Sequence, residues 1–451
     1  MLNSKKTHEV DMCNGPLFPK IFAFFIPVML SNVLQIVYNA ADQLIVGKFA
    51  GSRPLAAVGS TSSLINLITC LLIGLAVGVS SVTARHFGAG NKKSLGRATH
   101  TSVAISLIFG VAIGIFGIVF AKPLLRLMGS PDEVIGLATI YMQIYFIGLP
   151  ATALFNFCSA ILRAIGDTKR PMIFLIISGF LNVILNLIFV IFFKMHAAGV
   201  ALATVISQVL SAYLTLRCLI KSDESYKVNL KELKIYKSEF LQIIQVGIPS
   251  SIQSTAFSLA NVFIQSAVNS FGEFAMAGCA AAATIEAFVY QATNSLYHTT
   301  LSFVGQNYGA NKKDRILKSV IYCTGIVTVM GLAVGVLFYV FAEPLLKMFV
   351  DTPQAIAAGI ERLNLLLPAY FLCGIMEVGA GALRGMNKSV ISMVGSLIGA
   401  CGLRILWIFT IFAMFPTVFC LYIIFPISWI VTSVFFYGLF FHLMYKKAAR
   451  T

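Results

Sequence analysis

Apolar runs long enough to cross a lipid bilayer follow one another along almost the whole chain. A membrane-spanning helix needs about 20 mostly apolar residues, and twelve such runs can be read from the sequence. Their limits are Leu17–Val46, Leu55–Ser81, Ser94–Phe120, Glu133–Cys158, Met172–Phe193, Gly199–Ile220, Phe240–Val268, Ala275–Val304, Ile316–Phe341, Ile356–Val378, Val390–Met414 and Val418–Tyr445. The predicted fold class is therefore an all-α membrane protein with twelve transmembrane helices.

The low content of charged residues argues against a soluble protein. Hydrophobic residues make up 58% of the chain and charged residues only 11%, whereas an ordinary soluble domain carries about 25% charged residues. The formal net charge is +16, which in a soluble protein would suggest nucleic-acid binding. Here the basic residues lie in the short segments between apolar runs, so they indicate membrane topology and no nucleic-acid partner.

The distribution of Lys and Arg predicts that both termini are cytoplasmic. An even number of spans puts the two termini on the same side of the membrane, and the segments on that side hold 25 Lys and Arg residues. The segments on the opposite side hold 6. Because cytoplasmic loops carry the excess of positive charge, the side with 25 is assigned to the cytoplasm.

The second half of the chain repeats motifs of the first at an offset of about 220 residues, the pattern of an internal repeat. Residues 87–93 (FGAGNKK) are matched by 308–313 (YGANKK), and residues 121–128 (AKPLLRLM) by 342–348 (AEPLLKM). Each half holds six spans, so both halves enter the membrane in the same direction. Parallel repeats of this kind suit a transporter whose two bundles alternate around a central site.

The repeat and the charged segments divide the chain into five parts. We expect a cytoplasmic N-terminal segment (1–16), an N-terminal six-helix bundle (17–220), a cytoplasmic linker (221–239), a C-terminal six-helix bundle (240–445) and a cytoplasmic tail (446–451). The first apolar run is too long for the core of a cleaved signal peptide, so we expect none.

No motif of an enzyme or a metal site is found. The nine Cys residues are scattered singly and the six His residues include no metal-binding spacing, so we expect neither a disulfide framework nor a bound metal. No nucleophile and base recur at a catalytic spacing, so we expect no catalytic residues and no cofactor.

In the first half, one carboxylate and several amides lie at membrane depth. Asp42 stands near the outer end of the first span, fifteen residues after Pro27, which can bend that helix. Asn182 and Asn186 form an i, i+4 pair on the fifth span, and Thr204 lies in the outer half of the sixth. A buried charge is costly, so we predict that these four residues form a polar pocket holding a proton or a Na⁺ ion.

Other polar residues within the spans are candidates for substrate binding or gating. They are Gln35, Asn39 and Asn156 in the first half, and Glu286 and Glu377 in the second. The alternative for the amides is a hydrogen bond to a neighbouring helix. For Glu286 and Glu377 the alternative is a structural ion pair, and Arg404, which lies at a similar depth to Glu286, could be the partner of Glu286.

Several motifs together resemble the multidrug and toxic-compound extrusion (MATE) family, in its bacterial branch that includes the DNA-damage-inducible F proteins. They are Pro27…Gln35…Asp42 with Val46-Gly47, the loop 87–91 (FGAGN), the stretch 162–167 (LRAIGD) and the stretch 199–204 (GVALAT). The resemblance covers all twelve spans. It implies export of amphipathic, often cationic compounds in exchange for H⁺ or Na⁺, from a bacterial cytoplasmic membrane, and we expect a monomer.

The resemblance also assigns site residues. It implies that Asp42 is the coupling carboxylate, with Gln35, Asn182 and Thr204 as its companions. The family often has an Asp where this chain has Asn186, so only one carboxylate remains. Because a cation site gains from negative charge, H⁺ becomes the favoured coupling ion, with Na⁺ as the alternative.

Two other functions are weighed against export. A lipid-linked oligosaccharide flippase of the same superfamily would need a basic central cavity, and only Arg362 and Arg404 are basic within the spans. A channel would more usually arise from a ring of subunits than from two tandem halves, an argument that rests on architecture.

Overall fold

The computed structural model describes residues 9–448, apart from the side chains of Ser52 and of residues 446–448. The outer parts of the expected N-terminal segment and C-terminal tail, 1–8 and 449–451, lie outside the described residues. Twelve long helices follow one another in the described part: α1 (Leu17–Ala50), α2 (Ser52–Gly88), α3 (Lys92–Leu127), α4 (Asp132–Ile147 with Leu149–Ala164), α5 (Lys169–Phe192), α6 (His196–Ile220), α7 (Lys237–Asn269), α8 (Glu273–Gly309), α9 (Lys313–Val340), α10 (Pro353–Gly385), α11 (Ser389–Phe412) and α12 (Val418–Ala448). Two short helical turns, Leu230–Glu232 and Ala342–Leu346, lie between long helices.

Most of these helices are long and apolar enough to cross a membrane. Ten satisfy that test singly, and α4 makes an eleventh when its two parts, bent by 45°, are taken as one span. The remaining helix, α7, has 33 residues but carries several Gln and Ser residues, which lower its mean hydropathy. The predicted all-α membrane fold is confirmed, and its twelve helices are the twelve expected from the apolar runs.

Contacts between residues divide the described chain into two compact units. The first comprises residues 9–10 and 33–247, and the second comprises residues 11–32 and 248–448. Helix α1 therefore begins in the second unit and ends in the first, where Asp42 lies. The N-terminal segment is anchored within the second unit, because Asn307 and Arg315 donate hydrogen bonds to the Met12 carbonyl at 3.1 and 3.0 Å.

Glycine allows the same close helix contact in both units. A Cβ atom on Gly110 of α3 would lie 2.6 Å from the Pro150 Cα of α4, and one on Gly331 of α9 would lie 2.9 Å from the Phe371 Cα of α10. Real Cβ atoms do not approach so closely, so these positions need glycine for the helices to pack at this distance. The contacts at Gly110 and Gly331 thus hold helices together within each half.

The helices that receive these contacts are interrupted at corresponding places. Helix α4 is broken at Gly148, and α10 contains a turn of 3₁₀-helix at Leu367–Ala369 that includes Pro368. Pro150 and Pro368 each remove one backbone donor, which explains why a continuous α-helix is not kept there. The repeat read from the sequence is therefore present in the packing and in the helix breaks.

Candidate functional site

Three helices of the first unit bring the predicted coupling residues together. Asp42 lies near the end of α1, Asn182 and Asn186 lie one turn apart on α5, and Thr204 lies on α6. The spacing of four residues puts both amides on one face of α5. That face is buried, since Asn186 is 0% and Asn182 is 5% exposed.

The four side chains form a closed ring of hydrogen bonds. Asn186 Nδ2 donates to Asp42 Oδ1 at 2.5 Å and to Asn182 Oδ1 at 3.2 Å. Asn182 Nδ2 donates to Thr204 Oγ1 at 3.4 Å, and the Thr204 hydroxyl donates to Asp42 Oδ2 at 3.4 Å. Both carboxylate oxygens of Asp42 accept a hydrogen bond, and neither donates one. The ring is therefore complementary to an ionised carboxylate.

One acceptor of the ring has no donor. The carbonyl oxygen Asn186 Oδ1 is buried and accepts no hydrogen bond from the described residues. Such a buried oxygen is costly unless something satisfies it. It is a neutral oxygen of the type that hard cations prefer, and it belongs to the amide whose Nδ2 faces Asp42.

An apolar cluster has members within about one helical turn of the ring residues on α1, α5 and α6. Its buried members are Ile45, Val46, Val58, Tyr141, Val190, Ala197, Val200 and Ala201. The ends of α1 and α5 take up turns of π-helix, Val46–Ala50 and Ile188–Phe192, four residues after Asp42 and two after Asn186. Turns of π-helix are rare in proteins overall, but those that occur often lie at functional sites. They place the carboxylate and its amide partner at points where the helix geometry changes.

Tyr141 was missed by the sequence analysis. This buried residue of α4 belongs to the apolar cluster and lies within electrostatic range of Asp42. Nothing in the sequence distinguishes it from the other fourteen tyrosines. Its place could be found only from the packing of α4 against α2 and α6.

The other polar candidates of the first unit lie outside the ring. Gln35 and Asn39 are exposed on α1 and make no hydrogen bond to the ring. Asn156 donates to the Thr152 carbonyl of its own helix at 2.8 Å. Pro27 lies inside α1, where its carbonyl accepts a hydrogen bond from Ser31 at 2.8 Å. Their roles in substrate binding, gating or helix bending remain predictions.

The expected partner of Glu286 was wrong. Glu286 on α8 pairs with Arg362 on α10 through two parallel bonds, from Nε to Oε1 at 2.7 Å and from Nη2 to Oε2 at 2.9 Å. Arg362 also donates to the Tyr422 hydroxyl at 3.1 Å. Depth alone suggested Arg404, but α8 packs against α10 and so presents Glu286 to the guanidinium on that helix. A bidentate pair of this kind is strong and geometrically defined.

Arg404 and Glu377 have different surroundings. Arg404 is 4% exposed, donates to the Ser428 hydroxyl at 3.1 Å, and lies 4.1 Å from the ring centroid of Phe425. It makes no ion pair within residues 9–448. Glu377 is also buried and makes no hydrogen bond with any side chain or backbone group of the described range.

Known proteins resemble the chain along nearly its whole length. The model of the MatE family matches residues 27–188 and 249–410, once in each half. The Bacillus subtilis protein named "Probable multidrug resistance protein YpnP" is 28% identical over 396 residues, covering 87% of this chain and 88% of that protein. The Shewanella oneidensis protein named "FAD transporter" is 24% identical over 391 residues, covering 86% of each.

A solved structure shares the fold. It is described as the outward-facing conformation of a multidrug resistance MATE family transporter of the MOP superfamily. The match has a TM-score of 0.92 and 25% sequence identity, and covers 99% of this chain and 100% of the other.

Proposed function

We propose that this chain, which belongs to the MatE family of multi-pass membrane transporters, exports amphipathic, often cationic small molecules in exchange for H⁺ or Na⁺. The family match confirms the resemblance drawn from the sequence motifs. Members of this family are transporters and not enzymes. Relatives named for multidrug resistance support efflux as the direction of transport. The observation that carries the proposed coupling is the hydrogen-bonded ring around Asp42.

The ring supplies a physical reason for coupling to H⁺. Both oxygens of Asp42 face donors, the Asn186 amide and the Thr204 hydroxyl. Protonation turns one carboxylate oxygen into a donor, which the Asn186 amide nitrogen cannot accept and which the Thr204 hydroxyl can accept only by turning its own hydrogen away. The ring must rearrange to accept the proton, so protonation changes the contacts that join α1 to α5 and α6. Because these contacts differ between the protonated and the ionised Asp42, protonation can shift a transporter between two conformations.

Na⁺ is the alternative coupling ion. It would be held by the Asp42 carboxylate and, once the Asn186 amide turns its Oδ1 towards Asp42, by that unsatisfied oxygen. Hard oxygen ligands suit such an ion, but a single carboxylate supplies only one negative charge. This favours H⁺.

The mechanism and the placement in the membrane are part of the proposal. The parallel repeat supports alternating access between two bundles. The excess of Lys and Arg in the segments that precede α1 and follow α12 supports cytoplasmic termini in a bacterial cytoplasmic membrane. We further propose that the chain acts as a monomer, because each six-helix half has its counterpart within the same chain.

The test is dye transport in membrane vesicles with pH and Na⁺ gradients imposed separately. The Asp42→Asn protein should reach the membrane and lose gradient-driven transport of a fluorescent cationic dye. Asp132→Asn is the matched control, because Asp132 is an exposed residue at the start of α4. The control should transport normally. Normal transport by the Asp42→Asn protein would exclude the coupling role, and dye transport driven only by Na⁺ would exclude H⁺ as the coupling ion.

A second candidate substrate class is a planar anionic nucleotide such as FAD. One relative is named as an FAD transporter, and the buried Arg404 guanidinium lies over the Phe425 ring without a carboxylate partner in the described part of the chain. Guanidinium and aromatic groups together suit a flat, negatively charged molecule. Flavin export measured in the same vesicles decides between the classes, because a cationic-drug exporter should leave flavin unmoved.

A further inference from the structure

A recess with a basic rim opens at the ends of α5 and α6 in the first unit. It has a volume of about 340 Å³, and three cationic side chains line it: Arg170 at the start of α5, and Arg217 and Lys221 at the end of α6. Phe174, Leu214 and Cys218 line it as well. The recess is therefore cationic at the helix ends and largely apolar beside them.

The cationic and apolar parts are ordered along the helix axes. Phe174 follows Arg170 by four residues and Leu214 precedes Arg217 by three. At 1.5 Å per residue these steps place each apolar residue roughly 4.5–6 Å further along the helix, away from its end, than its basic neighbour. The basic groups lie at the end assigned to the cytoplasm by the positive charge of the adjacent segments. The basic side chains thus lie at the depth of the lipid headgroups of the cytoplasmic leaflet, and the apolar side chains lie at the depth of the acyl chains.

Two of the three cations that line the recess have no carboxylate partner in the described part of the chain. Asp167 pairs with Arg170, and Glu9 accepts a hydrogen bond from Tyr226. Arg217 and Lys221 make no ion pair within the described range, and the nearest aromatic contact of Arg217 is the Tyr213 ring, 5.9 Å from its Cζ atom. Two cations therefore remain for an anion from outside the protein.

We propose that the recess binds an anionic phospholipid of the cytoplasmic leaflet. Its phosphate would accept hydrogen bonds from Arg217 and Lys221, with Arg170 at the edge, and its acyl chain would lie along Phe174 and Leu214. Basic pockets between membrane helices on the cytoplasmic side have this preference, and guanidinium groups match phosphate oxygens in geometry. The inference rests on the proposed cytoplasmic placement of these helix ends and not on the coupling ion or the exported substrate.

A lipid in this place would join the two helices that carry the amides and the hydroxyl of the Asp42 ring. Its phosphate would bind Arg217 and Lys221 of α6 while its acyl chain lies along Phe174 of α5, a helix that packs against α6. Binding would therefore favour one relative position of these two helices.

The test is lipid binding to the purified full-length protein, measured by native mass spectrometry. Phosphatidylglycerol should bind at least tenfold more tightly than phosphatidylcholine with the same acyl chains. The Arg217→Gln/Lys221→Gln protein should bind phosphatidylglycerol about 25-fold more weakly, since each basic residue near a membrane contributes about fivefold. Lys92→Gln/Lys93→Gln removes the same charge from an exposed site at the start of α3 and should leave binding unchanged.

A second measurement locates the lipid. Phosphatidylglycerol should slow alkylation of Cys218 by N-ethylmaleimide, mapped on its peptide, and should not slow alkylation of Cys13. Equal binding of the two lipids, an equal loss in the Lys92/Lys93 control, or unprotected Cys218 would overturn the proposal. Displacement of phosphatidylglycerol by millimolar inorganic phosphate would identify a site for soluble anions and would overturn it as well. Coupling variants such as Asp42→Asn should keep the lipid, so failure of the transport proposal is distinguishable.

Discussion

The two halves of the chain share close helix packing at glycine. They differ in the side chains found at the positions of the hydrogen-bonded ring around Asp42. Gly110 against Pro150 in the first half corresponds to Gly331 against Phe371 in the second. Asp42 corresponds to Ile264 at an offset of 222 residues, the offset between the starts of the two family-model matches, and Asn182, Asn186 and Thr204 correspond to Leu403, Trp407 and Phe425 at an offset of 221. Close packing thus recurs wherever two backbones must meet, whereas the carboxylate and its donors occur once.

The buried charge of the second half is arranged in the opposite way. Glu286 is neutralised by Arg362 in a bidentate pair, and the corresponding first-half positions are Ile65 and Tyr141. Asp42 has only neutral donors and no cationic partner within residues 9–448. Protonating Glu286 would leave the Arg362 charge buried and unpaired, while protonating Asp42 leaves no such charge. The comparison supports the proposal that a cation is exchanged in the first half, whereas the ion pair of the second half links α8 to α10.

The largest effect is expected from breaking the ion pair of the second half. Glu286→Gln or Arg362→Gln should each lower the free energy of unfolding by about 3–5 kcal/mol, because the remaining charge stays buried without its partner. The Glu286→Gln/Arg362→Gln double variant should lose less than the sum of the two. Thermal unfolding of the purified proteins in detergent measures this. Single variants that unfold at the wild-type temperature would show that the pair does not hold α8 to α10.

A carboxylate moved to the corresponding place in the second half should not work. Ile264 is buried, and the residues corresponding to Asn182, Asn186 and Thr204 offer no amide or hydroxyl there. Ile264→Asp should therefore cost roughly 2.5–3.5 kcal/mol of stability. In the Asp42→Asn background it should restore no dye transport in vesicles. Restored transport would mean that the surrounding donors are unnecessary and that the difference between the halves is not functional.

The sequence predicts these features unequally, for physical reasons. The helices follow from apolar length, and the i, i+4 spacing places Asn182 and Asn186 on one face, so the ring could be anticipated from α5. The partner of Glu286 could not, because helix depth along the membrane normal does not specify which neighbouring helix faces it. Arg362 and Tyr141 were overlooked for the same reason, since their roles depend on lateral packing. The π-helical turns after Asp42 and Asn186 also depend on tertiary contacts and leave no local sequence signal.

Adding charge to the ring should change its choice of ion. Asn186→Asp gives the pocket a second carboxylate beside Asp42, and extra negative charge favours a bound cation. We expect about tenfold tighter Na⁺ binding, equivalent to about 1.4 kcal/mol. Dye transport measured over a range of Na⁺ concentrations at constant pH tests this. Asn156→Asp is the control, because Asn156 bonds to its own helix; a matching gain there would indicate a general effect of charge.

The smallest effect should come from the weakest member of the ring. Thr204→Val keeps the side-chain shape but removes the hydroxyl that donates to Asp42 Oδ2 at 3.4 Å and accepts from Asn182. Losing one such neutral hydrogen bond costs about 1 kcal/mol, so gradient-driven dye transport should fall roughly fivefold. Thr139→Val makes the same change on α4, where the hydroxyl bonds only to the Ile135 carbonyl of its own helix, and should leave transport unchanged. Equal losses in the two variants would mean that the hydroxyl of Thr204 matters for helix packing and not for holding Asp42. A loss confined to Thr204→Val would extend the difference between the halves to the sixth helix, because the corresponding residue, Phe425, lies under Arg404 and has no hydroxyl to lose.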